Sequence, residues 1–283
     1  RCDLRHSGGF VSQPDWEACH MKAILIAAGM GRRLSPYTDD RPKCLVEVAG
    51  RPMILRQIDN LRAVGVTEFV VIRGYLADRL TSALAHEPGV RFVDNFNYPN
   101  NNILLSLVCA QDELETGFFC SYGDIVYRPE VSEALSRSSH DISLVVDPYF
   151  AEVYEGRTEH PIAEAELADV DPQTQRVRRV GKKVVPLEQA AGEFIGLWKA
   201  SAHAGKTLRA LFQQRLAELG PSSPYGRAQR LEVAYLTDLF NDLITEEPRL
   251  QLPIHSVAIA QPKSWREIDT VQDLERARVV VSW

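Results

Sequence analysis

The sequence predicts an α/β fold in which a mostly parallel mixed sheet is flanked by helices. The first observation is an uninterrupted apolar run at 23–28, which is typical of a strand buried on both faces. The second is the alternation of short apolar segments with segments of helical periodicity, which favours parallel strands joined by helical crossovers. The third is the length of 283 residues, which suits one large domain.

Local patterns predict each element of the first half. At 52–64, Ile54, Ile58 and Leu61 fall on one helical face, and Gly65 is placed to end the helix. The predicted strands of this half are 23–28, 68–72, 90–93, 118–122 and 142–146. The predicted helices between them are 52–64, 76–85, 102–114 and 129–136. This order is Rossmann-like, with helices on both faces of the sheet.

The alternation changes after Asp147, where short, turn-rich strands are predicted. We expect 148–230 to form a small subregion that covers one side of a binding site. A helix that begins at Val233 is expected to end before Pro248. The remaining predicted strands are 163–170, 177–180, 194–197, 250–254 and 257–259, and the remaining helices are 204–219, 233–245 and 270–280. Residues 1–20 lack periodicity and predict a tail, which leaves 21–283 as a single domain.

Composition and charge exclude several classes of protein. The net charge of −6 at pH 7 argues against nucleic acid or an anionic membrane as a partner, and no apolar run approaches the ~18 residues of a membrane span. The first twenty residues also lack the apolar stretch of a signal peptide.

The five cysteines predict neither a disulfide framework nor a zinc site, because their number is odd and no pair has C-x-x-C spacing. Cys109 and Cys120 are expected to be buried apolar residues. Reduced thiols favour a cytoplasmic protein. The oligomeric state stays open, a homodimer included.

A glycine loop follows the first predicted strand. From Ala27 the chain reads A-A-G-M-G-R-R-L-S-P-Y-T-D-D-R-P-K, ending at Lys43. Gly29 and Gly31 would let backbone N–H groups approach a polyphosphate, and Arg33 and Lys43 bring positive charge to the same place. Preplaced cations stabilise the negative charge that develops when an α-phosphate is attacked. A dinucleotide-binding turn is disfavoured because Leu34 occupies the third glycine position.

This segment resembles the signature of the nucleotidyltransferases that include sugar-1-phosphate enzymes and phosphocholine cytidylyltransferases. The resemblance implies the nucleotidyltransferase fold, with Arg33 and Lys43 contacting the NTP phosphates. The residues expected around the nucleotide on this basis are Ala28, Gly29, Gly31, Arg33 and Gly123.

Two aspartates are candidate ligands for Mg²⁺. Asp124 follows the predicted strand at 118–122, and Asp269 precedes a helix that it or Thr270 is expected to cap. Mg²⁺ bound to nucleotide phosphates needs only one or two protein carboxylates. G-D-I-V-Y and E-I-D-T-V-Q-D are similar to the metal-binding motifs of phosphocholine-type cytidylyltransferases, which implies these two ligands. Asp273 is expected to be a solvated helix residue.

The run of asparagines at 100–102 favours CTP as the nucleotide. One asparagine is expected to cap the following helix, while amide groups also suit the edge of a pyrimidine. The pattern N-N-x-x-x-S-L is similar to that of cytidylyltransferases, whereas the sugar enzymes typically carry Q-P-x-G-L-A here. Asn101, Asn102 and Ser106 are therefore candidates for the nucleotide or acceptor side.

The acceptor is expected to be a small phosphate or phosphonate. The segment from Gly181 to Leu197 resembles the substrate-side region of cytidylyltransferases for phosphocholine-like and phosphonate acceptors, so Lys182 or Lys183 is expected at the phosphorus oxygens. A cationic amine on the acceptor would need carboxylates or aromatic faces. The available residues of these kinds are Glu193, Trp198 and Tyr225. His160, with Arg157 in R-T-E-H-P, is either part of the acceptor site or a surface residue.

The predicted reaction is in-line attack by the acceptor oxygen on the α-phosphorus of CTP, with Mg²⁺ as cofactor and pyrophosphate as the leaving group. The acceptor is already anionic at pH 7, so no general base is needed. Three alternatives remain open: a sugar-1-phosphate nucleotidyltransferase using UTP, dTTP or GTP, a non-catalytic nucleotide-binding regulator, and a dehydrogenase.

Overall fold

A computed structural model describes residues 21–283 of the chain. The helices are α1 (Met53–Ala63), α2 (Ala77–Leu84), α3 (Ile103–Cys109), α4 (Pro129–Arg137), α5 (Phe150–Tyr154), α6 (Ala202–Leu219), α7 (Leu236–Leu250) and α8 (Val271–Val280). The strands are β1 (Met21–Ala27), β2 (Glu47–Val48), β3 (Arg51–Pro52), β4 (Val66–Arg73), β5 (Val90–Asp94), β6 (Phe118–Tyr122), β7 (Ile125–Tyr127), β8 (Ile142–Asp147), β9 (Glu166–Val170), β10 (Val177–Lys182), β11 (Gly192–Ala200), β12 (Ile254–Ala258) and β13 (Trp265–Glu267). The predicted tail at 1–20 lies outside the described residues.

The central sheet has nine strands and is mixed, which confirms the predicted fold class. Strands β5, β4, β1 and β6 are parallel neighbours. Strand β11 then pairs antiparallel with β6, β8 and β9. Because the parallel strands all end at the same edge, the segments that follow β1 and β6 are neighbours, and this edge carries the candidate site.

Two apolar layers hold helices against opposite faces of the sheet. Alternate residues of β1 point to opposite sides, with Ile24 and Ile26 packing in the core that contains α3, α6 and α7. Ala23 and Leu25 pack in the other core, with α1, α2 and α4. The continuous apolar run at 23–28 therefore reflects burial on both faces, as the sequence predicts.

Several predicted elements differ from the structure. The helix expected at 102–114 ends at Cys109, and a 3₁₀ turn over Gln111–Glu115 follows, in which Glu113 reaches Lys22 at 2.8 Å. Helix α7 begins at Leu236 and continues to Leu250, so Pro248 lies inside its last turn and does not end it as predicted. The two short strands predicted between 250 and 259 are therefore one strand, β12.

Strand β7 and its antiparallel partner β13 are absent from the prediction. Each has three residues, and their pairing joins segments that are far apart in the sequence. Cys120 is buried as predicted, but Cys109 is exposed, because the last turn of α3 leaves it at the surface. Within 21–283, none of the helices is both long and apolar enough to span a bilayer.

Candidate active site

The glycine loop after β1 lines a cavity of about 380 Å³. Gly31 has φ +59°, and a Cβ atom there would lie 2.8 Å from Cβ of Lys43. Any other residue would therefore be strained and would collide with the lysine. Gly29 faces open space within the same cavity. The loop thus provides room for a ligand and lets Lys43 approach its backbone closely.

The pairing of β7 with β13 brings Asp124 and Asp269 together. Asp124 lies between β6 and β7, and Asp269 is the second residue after the end of β13. In the register of this pair, Glu267 lies opposite Ile125, and the N–H of Ile268 donates to the carbonyl oxygen of Asp124 at 2.9 Å. The two predicted ligands therefore meet at one point of the sheet edge.

Lys43 joins the two carboxylates. Its Nζ atom lies 2.8 Å from Oδ2 of Asp124 and also bonds Oδ1 of Asp269, whose Oδ2 accepts from Arg33. Burial alone would lower the pKa of Lys43, but the charges of Asp124 and Asp269 outweigh it and raise that pKa. Burial would raise the pKa of Asp269, yet Lys43 holds it well below its usual range. The Asp269 carboxylate is thus ionised, the form in which a carboxylate binds a metal ion.

The donor set fits Mg²⁺. Two carboxylates converge on one cationic group, and Oδ1 of Asp124 is buried without a hydrogen-bond partner among the described residues. A buried, unpaired carboxylate oxygen is costly unless a cation or donor approaches it. Hard oxygen ligands of this kind suit Mg²⁺ in combination with nucleotide phosphates.

A buried ion network supports Asp269. His160 is 2% exposed, and its Nδ1 lies 3.0 Å from Oδ2 of Asp269. Arg157 bonds Glu267 at 2.9 Å and Asp273 at 2.6 Å. The surface position considered for His160 is therefore wrong, and so is the solvated position expected for Asp273. Asp273 is buried because it closes the capping box of α8 with Thr270 while neutralising Arg157.

The predicted asparagines form the wall of the cavity. Asn102 caps α3, accepting from the N–H of Ile103 at 2.9 Å, as one of them was expected to do. Asn101 and Asn95 form a reciprocal amide pair with both distances 3.0 Å, and Asn95 also donates to Ser106 at 2.9 Å. Asn101, Asn102 and Ser106 all line the cavity, together with Ala28 and Gly123.

A second cavity of about 250 Å³ shares several lining residues with the first. Both cavities are lined by Arg33, Asn102, Asp124 and Asp269, so they meet at the aspartates. The additional charged residues of the second cavity are Glu164, Glu166, Lys182, Glu193 and Glu267. This cavity is therefore rich in carboxylates.

Some of the residues predicted to bind the acceptor line the second cavity, and the others lie outside it. Lys182 and Glu193 line the second cavity. Lys183 and His160 are not among its lining residues; Lys183 is exposed and pairs with Glu164 at 3.5 Å. The aromatic candidates Trp198 and Tyr225 are packed in the hydrophobic core instead, because their strand and loop face α6 and α7.

Several lining residues were missed by sequence reasoning, namely Tyr98, Tyr122, Glu166, Tyr235 and Glu267. Tyr122 and Glu267 are each two residues from a predicted metal ligand, and that proximity was the available signal. Glu166 and Tyr235 had none, because they reach the cavity only through the packing of β9 and the start of α7.

A comparison with protein-family models matches residues 23–220 to the MobA-like NTP transferase domain. The chain belongs to this family. It is therefore a nucleotidyltransferase, which confirms the predicted enzyme class and excludes the dehydrogenase and non-catalytic alternatives.

Two relatives match this chain over nearly its whole length. The CTP:phosphoglutamine cytidylyltransferase of Campylobacter jejuni is 29% identical over 261 residues, covering 90% of this chain and 98% of the relative. The 2-aminoethylphosphonate cytidylyltransferase of Lancefieldella rimae is 30% identical over 256 residues, covering 89% of each. Both relatives are named as cytidylyltransferases with phosphorus-bearing acceptors, the reaction type that the sequence predicts.

The solved structure of a CTP:phosphocholine cytidylyltransferase from Streptococcus pneumoniae superposes with a TM-score of 0.66 at 23% identity. The match covers 93% of this chain and 100% of the other. At this identity the likeness establishes the nucleotidyltransferase fold that the resemblance implied.

Proposed function

We propose that this NTP transferase moves CMP from CTP to a small acceptor that carries a phosphate or phosphonate and a cationic amine, and releases pyrophosphate. The observation that carries the proposal is the bridge from Lys43 to Asp124 and Asp269 at the junction of two cavities. Such a junction places a reacting phosphorus between a nucleotide on one side and an acceptor on the other. The names of the two full-length relatives support CTP and this acceptor class.

The nucleotide side is the cavity of the glycine loop. We assign the CTP phosphates to the backbone around Ala28, Gly29 and Gly31 and to the cations of Arg33 and Lys43. The base is assigned to the wall formed by Asn101, Asn102 and Ser106, with Gly123 at its edge. The amides of Asn101 and Asn102 already bond within the protein, so we expect this wall to select the base mainly by its shape.

The acceptor side is assigned to the region 148–230, which supplies Glu164, Glu166, Lys182 and Glu193 to the second cavity. Lys182 is the cation we expect at the phosphoryl or phosphonyl oxygens. The carboxylates are expected at the amine.

In the proposed step, an acceptor oxygen forms a bond to the α-phosphorus while the bond to the bridging oxygen of the β-phosphate breaks. Asp124 and Asp269 would hold Mg²⁺, which neutralises phosphate oxygens when bound. Lys43 and Arg33 stabilise the charge that builds on the α-phosphate and the leaving pyrophosphate. The acceptor is anionic, so no proton has to be removed from it.

Pyrophosphate release measured with each NTP and a panel of acceptors tests the proposal. We expect activity with CTP and Mg²⁺ on aminoalkyl phosphates or phosphonates. Activity confined to hexose 1-phosphates with UTP, dTTP or GTP would show the sugar-nucleotide alternative to be correct.

A further inference from the structure

One carboxylate of the acceptor-side cavity has an oxygen that the protein leaves unpaired. Glu193 on β11 is 4% exposed, and its Oε1 accepts from the hydroxyl of Tyr154 at 2.7 Å. Its Oε2 is buried and has no hydrogen-bond partner in the described part of the chain. Since Glu193 lines the cavity, a ligand there is in a position to supply the missing donor.

The other carboxylates of this cavity are already compensated by the protein. Glu164 pairs with Lys182 at 3.5 Å. Glu166 accepts from Thr237 at 3.1 Å, and Glu267 accepts from Arg157 at 2.9 Å. Glu193 therefore differs from them in lacking a cation or a second donor.

Three of the four aromatic rings that line this cavity have no free face for a methylated ammonium, which leaves only that of Tyr122 among the described residues. Phe194 and Trp265 are each 2% exposed, and the Trp265 indole N–H is bonded to Asp147 at 2.6 Å. Nζ of Lys182 lies 5.1 Å from the centre of the Tyr235 ring, so another cation already uses that ring. Quaternary ammonium groups are bound mainly by free aromatic faces, whereas an ammonium with N–H groups is bound by oxygen acceptors.

We propose that Glu193 selects acceptors whose cationic nitrogen carries N–H groups, so that the enzyme uses primary ammonium acceptors and discriminates against quaternary ones. This inference rests on the proposed function and adds the class of amine. A primary ammonium donates to Oε2 of Glu193 and removes the cost of its burial. A trimethylammonium brings charge but no donor, and its methyl groups leave that oxygen unpaired. Sites built to bond an N–H group reject analogues that lack it strongly.

The test compares 2-aminoethylphosphonate with its N-methyl, N,N-dimethyl and N,N,N-trimethyl derivatives, using CTP and pyrophosphate release. We expect the main loss of kcat/KM, about 10²-fold or more, at the last methylation, because the dimethyl derivative keeps one N–H group and the trimethyl derivative has none. Glu193→Gln should lower kcat/KM for the primary amine. The ratio of kcat/KM for the primary acceptor to kcat/KM for the quaternary acceptor should then be close to one. Glu188→Gln, on the turn before β11 and outside the cavity lining, should keep the wild-type ratio.

The ratio is measured on one preparation, so a partly unfolded variant does not alter it. If Glu193→Gln fails to fold, Glu193→Asp serves instead, and its shorter side chain should likewise reduce the ratio. An equal or higher kcat/KM for the trimethyl acceptor, or an unchanged ratio in the Glu193 variant, overturns the inference while leaving the proposed function intact. Absence of turnover with every acceptor overturns the proposed function and the inference together.

Discussion

Nζ of Lys43 lies 2.8 Å from Oδ2 of Asp124, although the two residues are 81 positions apart in the chain. The close approach depends on Gly31, because a side chain there would meet Cβ of Lys43. The glycine loop and Asp124, the aspartate proposed to bind the metal, are thus parts of one unit. A change in the loop should therefore affect both phosphate binding and the state of the carboxylates.

Replacing Lys43 by methionine should lower kcat/KM by about 10²–10³-fold, because a preplaced cation is lost where negative charge develops. The methionine keeps the apolar stem of the side chain, so the effect reports the charge. Steady-state pyrophosphate release measures it.

Arg41→Ala is the matched control, since Arg41 pairs with Asp40 at the surface and does not line the cavity. We expect wild-type kinetics for this variant. A Lys43→Met enzyme with kcat/KM close to that of the wild type would contradict the assigned role.

Asp124→Asn should impair activity through the metal. The substitution keeps the shape of the side chain but removes a negative charge and the unpaired oxygen that suits Mg²⁺. At fixed Mg²⁺ we expect a loss of at least about 10²-fold in kcat, because a metal supplies several kcal/mol of charge stabilisation.

A titration of activity with Mg²⁺ distinguishes weaker metal binding from a folding defect. If Asp124 is a ligand, the midpoint of this titration should move to a higher Mg²⁺ concentration in Asp124→Asn. Asp78→Asn, at the exposed start of α2, should leave the midpoint unchanged. Identical Mg²⁺ curves for wild type and Asp124→Asn would rule out Asp124 as a ligand.

Sequence patterns could predict the parallel half of the sheet because its signals are local, whereas Asp124 and Asp269 were singled out by the resemblance of their segments to known motifs. The apolar run at 23–28 and the glycines after it are contiguous, and their meaning does not depend on distant residues. The meeting of Asp124 with Asp269 requires β7 and β13, which are too short to show a pattern. Arg157 and His160 belong to one segment far from both strands, and they reach Asp273 and Asp269 respectively. No spacing in the sequence encodes these two contacts.

Arg157→Met should destabilise the fold. The Arg157 and Asp273 side chains are 1% and 3% exposed, so removing the guanidinium leaves a buried carboxylate without its counter-ion. Breaking one side of such a pair costs about 3–5 kcal/mol in the free energy of unfolding. Urea unfolding followed by circular dichroism measures this loss.

The comparison is Arg137→Met, which removes an exposed pair with Glu133 on α4. An exposed pair of this kind is worth about 0.3–0.5 kcal/mol. Similar losses for the two variants would mean that the buried network does not stabilise the fold as proposed.

Glu166 should give the fold a pH dependence that glutamine removes. Burial raises the pKa of Glu166 to about 7, against the opposing charge of Lys182 and the hydrogen bonds from Thr237 and Tyr122. A carboxyl whose pKa is higher in the folded state stabilises the fold fully below its unfolded pKa, and this contribution disappears as pH rises through the folded pKa. The free energy of unfolding of the wild type, minus that of Glu166→Gln, should therefore decrease as pH rises from about 4.5 to 8, by on the order of 3 kcal/mol.

Urea denaturation of both proteins across this range measures the difference, and subtraction cancels the titration of all groups that the two proteins share. Glu188→Gln replaces an exposed carboxylate, so its free energy of unfolding should have the same pH dependence as that of the wild type. A difference that is flat or increases with pH would show that Glu166 is already ionised at neutral pH in the folded protein. In that case Glu166 would be a fixed negative charge in the acceptor-side cavity, and its replacement by glutamine should weaken acceptor binding even at pH 5.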